Sequence, residues 1–468
     1  MEEFDVIVVG GGTAGLTAAL TARHAGASVA LVEREGRIGG DCSYYGCVPS
    51  KALIEIAQIV FDAGRLAADG IIDQPPKPSF AAVARQRDRV VAEIARDERD
   101  ERFTDAGIEL VYGEATFSGE HELTVADRRL TGRRFVIATG SEPAVPPIAG
   151  IDTVPYLTNR SVFDLTALPE RLLVLGGGPI GLELAQAFQR LGSSVSVVEL
   201  SDRLLPRDEP EAGEAARMVL SAESVQLHLG AEARSLRMHG DEILLETDVG
   251  DLRGDALLVA AGRKGAAGTL GLERVGVEVD RGYVRIDERC RTSARHIYAA
   301  GDVTGGLQFT HVASHQGTVA GRNAAGERAK RDERVVPWVT FLDPEIAHVG
   351  LTEEQARKAH GPVRVVTYPM GHVDRARILG RPIGFVKLVT RRRPLIGWAG
   401  GGELVGAQIV GPRAGELIQE CALAMQTRAF AGRLTQTIHA YPVMSIAVQQ
   451  AGAQLFPLGR VLAEPGER

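Results

Sequence analysis

The chain has 468 residues, 44% hydrophobic and 24% charged, with a formal net charge of -7; that balance suits a globular protein of several domains and gives no basic surface for nucleic acid. Four cysteines, Cys42, Cys47, Cys290 and Cys421, exclude a disulfide-stapled secreted scaffold. Two acids open the chain where a signal peptide carries basic residues, and no run of about 18 apolar residues follows, so a cytoplasmic protein without a membrane partner is expected.

Val6 to Glu33 reads VIVVGGGTAGLTAALTARHAGASVALVE. This is an apolar run, a GxGxxG turn (Gly10, Gly12, Gly15), an amphipathic helix and a second apolar run ending on an acid. Physically it predicts a βαβ dinucleotide fold. The first glycine permits the turn, the second lets a pyrophosphate approach and the third lets helix and strand pack. The helix start presents amides to phosphate, and the terminal acid, Glu33, can accept bonds from a ribose diol. The segment GGDCSYYGCVPSK, Gly39 to Lys51, follows. Its two cysteines are separated by four residues, a spacing that by itself leaves a metal clamp, a structural staple and a redox pair open.

Ser50 to Ala68 then predicts a helix, IIDQPPKP a proline-rich link, and Ser79 to Arg102 a second long helix whose RDERDER run reads as a solvated face. RRFVIATG, Arg133 to Gly140, predicts a strand returning to the nucleotide. From Leu172 to Glu199 the first motif recurs without a gap as LLVLGGGPIGLELAQAFQRLGSSVSVVE. Gly176, Gly178 and Gly181 fall on the three turn glycines, and Glu199 falls on Glu33. A lone GxGxxG is a weak signal, because glycine turns are common for steric reasons; two copies with the acid at the same offset predict two dinucleotide sites. HIYAAGDVTGG, His296 to Gly306, pairs an apolar strand with a Gly-Asp turn that places Asp302 against a sugar-like chain. Since this segment and Arg133 to Gly140 bracket the second copy, one nucleotide domain is inserted into the other. Near the C-terminus Arg391 to Arg393 reads as an exposed hairpin tip, and Cys290 and Cys421 as buried small hydrophobes.

Together these features resemble the pyridine nucleotide–disulfide oxidoreductases, the family of dihydrolipoamide dehydrogenase, glutathione reductase and mercuric reductase. The resemblance rests on both nucleotide folds, on the cysteine loop (similar to the family's GGxCxxxGCxPxK), on AAGD, and on the segment from FLDPEIAHVGLTE, Phe341 to Glu353, onward. It implies an α/β protein with two Rossmann-like domains, one inserted into the other, and a C-terminal α+β dimerisation domain. The expected boundaries are 1–149 and 267–334 for the FAD domain, 150–266 for the NAD(P) domain and 335–468 for dimerisation. FAD would be held by Gly10, Gly12, Gly15, Glu33, Gly40, Lys51, Gly113, Gly140 and Asp302, and the nicotinamide nucleotide by Gly176, Gly178, Gly181 and Glu199; Gly262 and Arg263 are also expected to bind a cofactor. A carboxylate at Glu199 favours a free ribose diol, hence NADH over NADPH, although Arg203 and Arg207 lie close by.

The resemblance also bears on the cysteines. Zinc is disfavoured because the gap is four rather than two and no second pair completes the ligands; no metal site is expected. A staple would constrain little chain. A redox pair is favoured because the helix start stabilises a thiolate. By resemblance Cys47 lies beside the flavin, Cys42 faces substrate, and Lys51 sits near the flavin with Glu183 as its partner. Electrons would run from nicotinamide to flavin to the Cys42–Cys47 disulfide and on to a small-molecule acceptor, in a homodimer.

The C-terminus departs from the family. Where its disulfide reductases carry HxHPTxSE, this chain reads HAYPVMSI, His439 to Ile446. Tyr441 takes the base position and Ile446 the glutamate position, and a tyrosine of ordinary pKa near 10 is a poor base. His439 is either a substitute base or a packing residue. Mercuric reductases also place tyrosine there, but their N-terminal metal-binding domain and terminal cysteine pair are not found, the chain ending VLAEPGER, so metal delivery by that route is not expected. Asp41 and the pair Tyr44–Tyr45 are further departures; the two rings narrow the site or stack on an aromatic acceptor. Three activities fit: a thiol–disulfide or metal–thiol oxidoreductase, a diaphorase acting on quinones with accessory cysteines, and a redox-sensing flavoprotein.

Overall fold

The computed structural model describes residues 2–457; the VLAEPGER end lies outside the described residues. The chain forms two compact units, each woven from separated stretches: 1–147, 156–168 and 258–332 in the first, and 148–155, 169–257 and the chain from 333 onward in the second.

In the first unit, β1 (Glu2–Val9) alternates its side chains between two cores. Val6 and Val8 pack with Ala14, Ala18 and Leu31 on one face, and Ile7 and Val9 with Phe117, Phe135 and Val32 on the other. A strand covered on both faces reads as an unbroken apolar run, and β2 (Val29–Glu33) is buried at all five positions. With β3 (Ile108–Tyr112), β4 (Ala115–Gly119), β5 (Glu122–Val125) and β6 (Arg128–Ile137), the order is β3-β2-β1-β6-β5-β4. β5 and β4 are antiparallel, while the strand Ile297–Ala299 joins β6 in parallel along Phe135, Val136 and Ile137. Helix α1 (Thr13–His24) packs closely on the helix Thr310–Ala324. A Cβ on Gly317 or Gly321 would lie 2.4 or 2.5 Å from the carbonyl oxygens of Ala14 and Ala18.

Two helices differ from the sequence reading. After α2 (Gly40–Tyr44), α3 spans Cys47–Ala68 and so begins on the second cysteine, three residues earlier than expected. Pro49 falls in its first turn, where a missing N–H costs nothing. Helix α4 (Phe80–Ala95) stops short of Arg102, giving way to a 3₁₀ turn at Arg96–Glu98 and a short helix at Asp100–Thr104. The charge run supplies no apolar stripe to hold another turn on the core, apart from buried Phe103.

In the second unit, Arg171–Leu175, Ser194–Glu199 and Gln226–Leu229 form a parallel sheet, with Ala256–Val259 at its edge carrying the chain out of the unit. A five-stranded antiparallel sheet runs in the order Pro337–Thr340, Glu345–Gly350, Glu403–Gly411, Phe385–Arg391, Val363–Pro369. The helix Ala414–Gln426 lays Leu417, Ile418, Cys421 and Met425 over it. Cys421 and, in the first unit, Cys290 are fully buried, as expected of small hydrophobes. Arg391 to Arg393 is not a bare tip: Arg391 pairs with Glu403 at 2.9 Å, and Arg393 lies over the Phe430 ring and bonds the Ala429 carbonyl. Lys387, almost fully buried, binds Glu209, Glu211 and Glu353 at 3.1, 2.9 and 3.0 Å. Among the described residues no helix is long and apolar enough to cross a membrane.

Candidate active site

The glycine turn after β1 leaves no room for side chains. Gly10 has φ 110, and its Cβ would sit 2.3 Å from the Ala138 carbonyl oxygen; a Cβ on Gly15 would sit 1.8 Å from that of Gly10. Gly40, with φ 66, brings the start of the cysteine loop against Gly12, where a Cβ would be 2.7 Å from the Gly12 Cα. Glu33 accepts the Gly11 N–H at 2.6 Å and the Glu35 N–H at 2.8 Å. Gly113 donates its N–H to the Glu33 carbonyl at 2.8 Å, and Gly140 and Gly262 hold φ of 72 and 131.

Asp302 follows the strand Ile297–Ala299 and anchors a hydrogen-bonded chain. Arg263 Nε donates to Ser141 Oγ at 2.6 Å, and that hydroxyl donates to Asp302 Oδ2 at 2.7 Å. Burial pushes the Asp302 carboxyl above its ordinary pKa, against the Ser141 bond and the Arg263 charge. Arg263 Nη2 also bonds Asp41 Oδ2 at 2.8 Å, which ties the cysteine loop to this chain. A bare backbone cradle at a helix start, with one carboxylate at the strand end and another across the sheet, fits the phosphates and ribose of an adenine dinucleotide such as FAD.

Cys42 lies in α2 and Cys47 is the first residue of α3, so the second sulfur stands where helix amides favour negative charge. Thr310, which opens its own helix, brings its Oγ1 to 3.3 Å from Cys47 Sγ and 3.4 Å from Cys42 Sγ. The hydrogen bond to Cys47, burial, and the Cys47 charge push Cys42 far above the ordinary thiol range, against the bond from the Thr310 hydroxyl, which lowers it; Glu98 adds to the rise. Lys51 lies one turn further along α3, on the Cys47 face.

The aromatic pair in the loop is clamped by cations. Arg37 lies 3.7 Å above the Tyr44 ring and Arg160 4.8 Å from the Tyr45 ring centroid. Asn159 donates to the Tyr45 carbonyl at 3.1 Å and to Asp41 at 3.3 Å. Glu98 corrects the sequence reading of RDERDER as a solvated face. Its Oε2 is buried with no hydrogen-bond partner, and it abuts the head of the cysteine loop, 2.5 Å from where a Gly39 Cβ would stand. Thr310, Glu98, Asn159 and Arg160 carried no signal in the sequence, being brought to the loop from distant segments.

The second glycine turn repeats the first. Gly176 has φ 115, Gly178 caps the helix Pro179–Leu191, and a Cβ on Gly181 would lie 2.1 Å from the Gly176 carbonyl oxygen. Glu199 accepts N–H groups from Gly177 at 2.5 Å and Ser201 at 2.7 Å, matching Glu33. Arg203 spends its guanidinium on the Pro206 carbonyl at 2.5 Å. Glu183, buried in the same unit, accepts the Phe341 N–H at 2.8 Å.

At the C-terminal departure, Tyr441 is 73% exposed, and its hydroxyl donates to Asp374 at 2.9 Å, a bond that raises its pKa. His439 is half-buried, with Nδ1 2.9 Å from the Thr437 carbonyl oxygen and Nε2 3.2 Å from Glu420.

Residues 4–317 match the family described as pyridine nucleotide-disulphide oxidoreductase, and residues 336–451 match its dimerisation domain. A mercuric reductase of Streptomyces lividans is 37% identical over 97% of this chain and 96% of its own. A dihydrolipoyl dehydrogenase of Haloferax volcanii is 35% identical over 96% of this chain and 95% of its own. The solved HOCl-induced flavoprotein disulfide reductase RclA from Escherichia coli has a TM-score of 0.85 at 30% identity, covering 96% of this chain and 99% of its own. With the cradles, the paired sulfurs and these matches in agreement, the chain belongs to the pyridine nucleotide–disulfide oxidoreductases and is an FAD-dependent enzyme of that family.

Proposed function

We propose that this enzyme takes electrons from NADH, uses Cys42 and Cys47 as its redox pair, and delivers the electrons to a small thiol-reactive acceptor, either a disulfide or a thiol-bound metal ion. The observation that carries the reading is the meeting of both sulfurs at Thr310, with Cys47 heading α3. In this reading Gly10, Gly12, Gly15, Glu33, Gly40, Lys51, Gly113, Gly140, Gly262, Arg263 and Asp302 hold FAD, and Gly176, Gly178, Gly181 and Glu199 hold the nicotinamide nucleotide. When bound, FAD supplies two-electron transfer between a nicotinamide and a disulfide.

The protein's part is to manage charge and protons. Two electrons and one proton break the Cys42–Cys47 bond, leaving a thiolate at Cys47 and a thiol at Cys42. The helix start favours the first, and burial beside that thiolate favours the second. Lys51, one turn after Cys47, supplies a positive charge beside the cysteine pair. Cys42 then attacks the acceptor: its new bond to one acceptor sulfur replaces the acceptor's S–S bond, or its bond to the metal replaces one of the metal's thiolates, and the departing thiolate takes the Cys42 proton. The preference for NADH rests on Glu199, and on Arg203 being committed to its own loop. A homodimer is proposed from the dimerisation domain.

Tyr441 donates to Asp374 and has no carboxylate at Ile446, which favours acceptors that need no base on the enzyme. The same observation supports a second reading, a diaphorase that reduces quinones while the cysteines are accessory. Anaerobic titration with NADH separates the two. A long-wavelength band dependent on Cys47, present without reduction in Cys42→Ser and absent in Cys47→Ser, accompanied by loss of disulfide or metal–thiol turnover in both variants, is expected. Full acceptor turnover in both variants would establish the diaphorase.

A further inference from the structure

The first unit carries a second cluster of ligand-type side chains outside the active site. Glu120 and His121 form the turn between β4 and β5, and His296 immediately precedes the strand Ile297–Ala299. Each offers one ligand atom, and these atoms lie within 4.8 Å of one another. The imidazole rings are 4.6 Å apart at a tilt of 43°, and the Phe135 ring meets His296 edge-on at 6.1 Å.

The hydrogen bonds settle the state of both rings. His121 Nδ1 lies 2.9 Å from the Gly132 carbonyl oxygen, and His296 Nε2 lies 2.8 Å from that of Glu120. A carbonyl oxygen only accepts, so each of those nitrogens carries the hydrogen. In the neutral rings the lone pairs are therefore left on His121 Nε2 and His296 Nδ1. This is the arrangement by which metal-binding histidines are held: one nitrogen donates to a carbonyl, which fixes the ring and makes the other nitrogen more basic. Glu120 contributes twice, its carbonyl orienting His296 and its carboxylate completing the donor set.

We propose that Glu120, His121 and His296 bind one divalent transition ion of the zinc or copper class. Two imidazoles and a carboxylate are the donors such ions select, and solvent fills the remaining positions. Metal–nitrogen bonds of about 2.0–2.1 Å set donor atoms about 3.3 Å apart, so these must close by up to about 1.5 Å, and Glu120 and His121 are exposed side chains on a turn. The ion would join the β4–β5 turn to the segment that leads into Asp302. The site is independent of the active-site thiols.

The test is a Zn(II) titration of the oxidised holoenzyme in reductant-free buffer. One ion per chain is expected, with affinity reduced at least about tenfold in His121→Ala and in His296→Gln, and unchanged in Glu122→Gln. In the unmodified protein, Zn(II) should shield both histidines from diethylpyrocarbonate, a measurement that requires no variant to fold. Cu(II) should show two nitrogen donors by electron paramagnetic resonance. Zn(II) binding that survives both histidine changes would place the metal elsewhere, on the thiols for instance, and overturn the proposal, as would no binding at 100-fold molar excess.

Discussion

Thr310 and Glu98 act on Cys42 with opposite sign, the bond from the Thr310 hydroxyl lowering its pKa and the Glu98 charge raising it. A hydrogen bond to a charged group is worth about 1.5–3 kcal/mol, or about one to two pKa units. Thr310→Val removes that donor and should therefore raise the pH midpoint for alkylation of Cys42 by about one unit or more, while Thr310→Ser keeps the donor. An unmoved midpoint in Thr310→Val would show that the hydroxyl does not stabilise the Cys42 thiolate. Glu98 works on Cys42, whose proton it helps to retain. Removing that negative charge in Glu98→Gln makes Cys42 easier to ionise, so alkylation of Cys42 in the reduced enzyme at pH 8 should be several-fold faster, read by mass spectrometry. Neither residue was legible beforehand. Thr310 is an unremarked threonine far along the chain, and Glu98 sat inside a charge run whose exposed members hide the one oxygen that turns inward.

At the level of elements, the helix Ile446–Ala453 and the loop before it hold the sharpest departure from the family. Ile446 is the first residue of that helix, a position where a carboxylate is tolerated and even favoured, so Ile446→Glu should fold. Tyr441→His with Ile446→Glu should raise dihydrolipoamide turnover by about 10²–10⁴-fold, more than either change alone, because a histidine base depends on the carboxylate that orients it. Equal turnover in the single and double variants would mean that another group already supplies the base. The elements legible in the sequence were those in which backbone geometry dictates the residue: both glycine turns, the acid-ended strands, and the Gly-Asp turn at Asp302. The break after α4 was not legible, because only the packing of Phe103 and Glu98 decides where that helix stops.

At the scale of the molecule, the second unit is held together across its two long stretches by Lys387 from one and Glu209 and Glu211 from the other. Burial works to lower the Lys387 pKa, and its three glutamates outweigh that effect, so it stands above the ordinary lysine value. The sign follows: this contribution is complete below about pH 10 and is lost only as pH rises through the raised value. Removing one partner of a buried ion cluster typically costs about 3–5 kcal/mol, and Lys387→Met should lose that much at pH 7 by denaturant unfolding. Glu353 sits below its ordinary value, because its bonds to Arg357 and Lys387 outweigh burial. Its share is present above about pH 4.3 and disappears as pH falls further, so the difference between the variant and the parent should shrink in acid. The interleaving was legible only in part. The repeat and its bracketing segments announced an inserted domain, whereas a lysine in a strand gives no sign of which distant acids it will meet.

The parallel pairing of β6 with Ile297–Ala299 has a consequence for synthesis. Phe135, Val136 and Ile137 leave the ribosome long before their partner strand, with the whole second glycine motif translated in between. At about 5–20 residues per second, that edge stays unpaired for on the order of ten seconds, and it is apolar on both faces. Nascent chains are thus most exposed to mispairing there, and a holdase that captures extended hydrophobic segments should crosslink to residues near Phe135 until Ala299 has emerged.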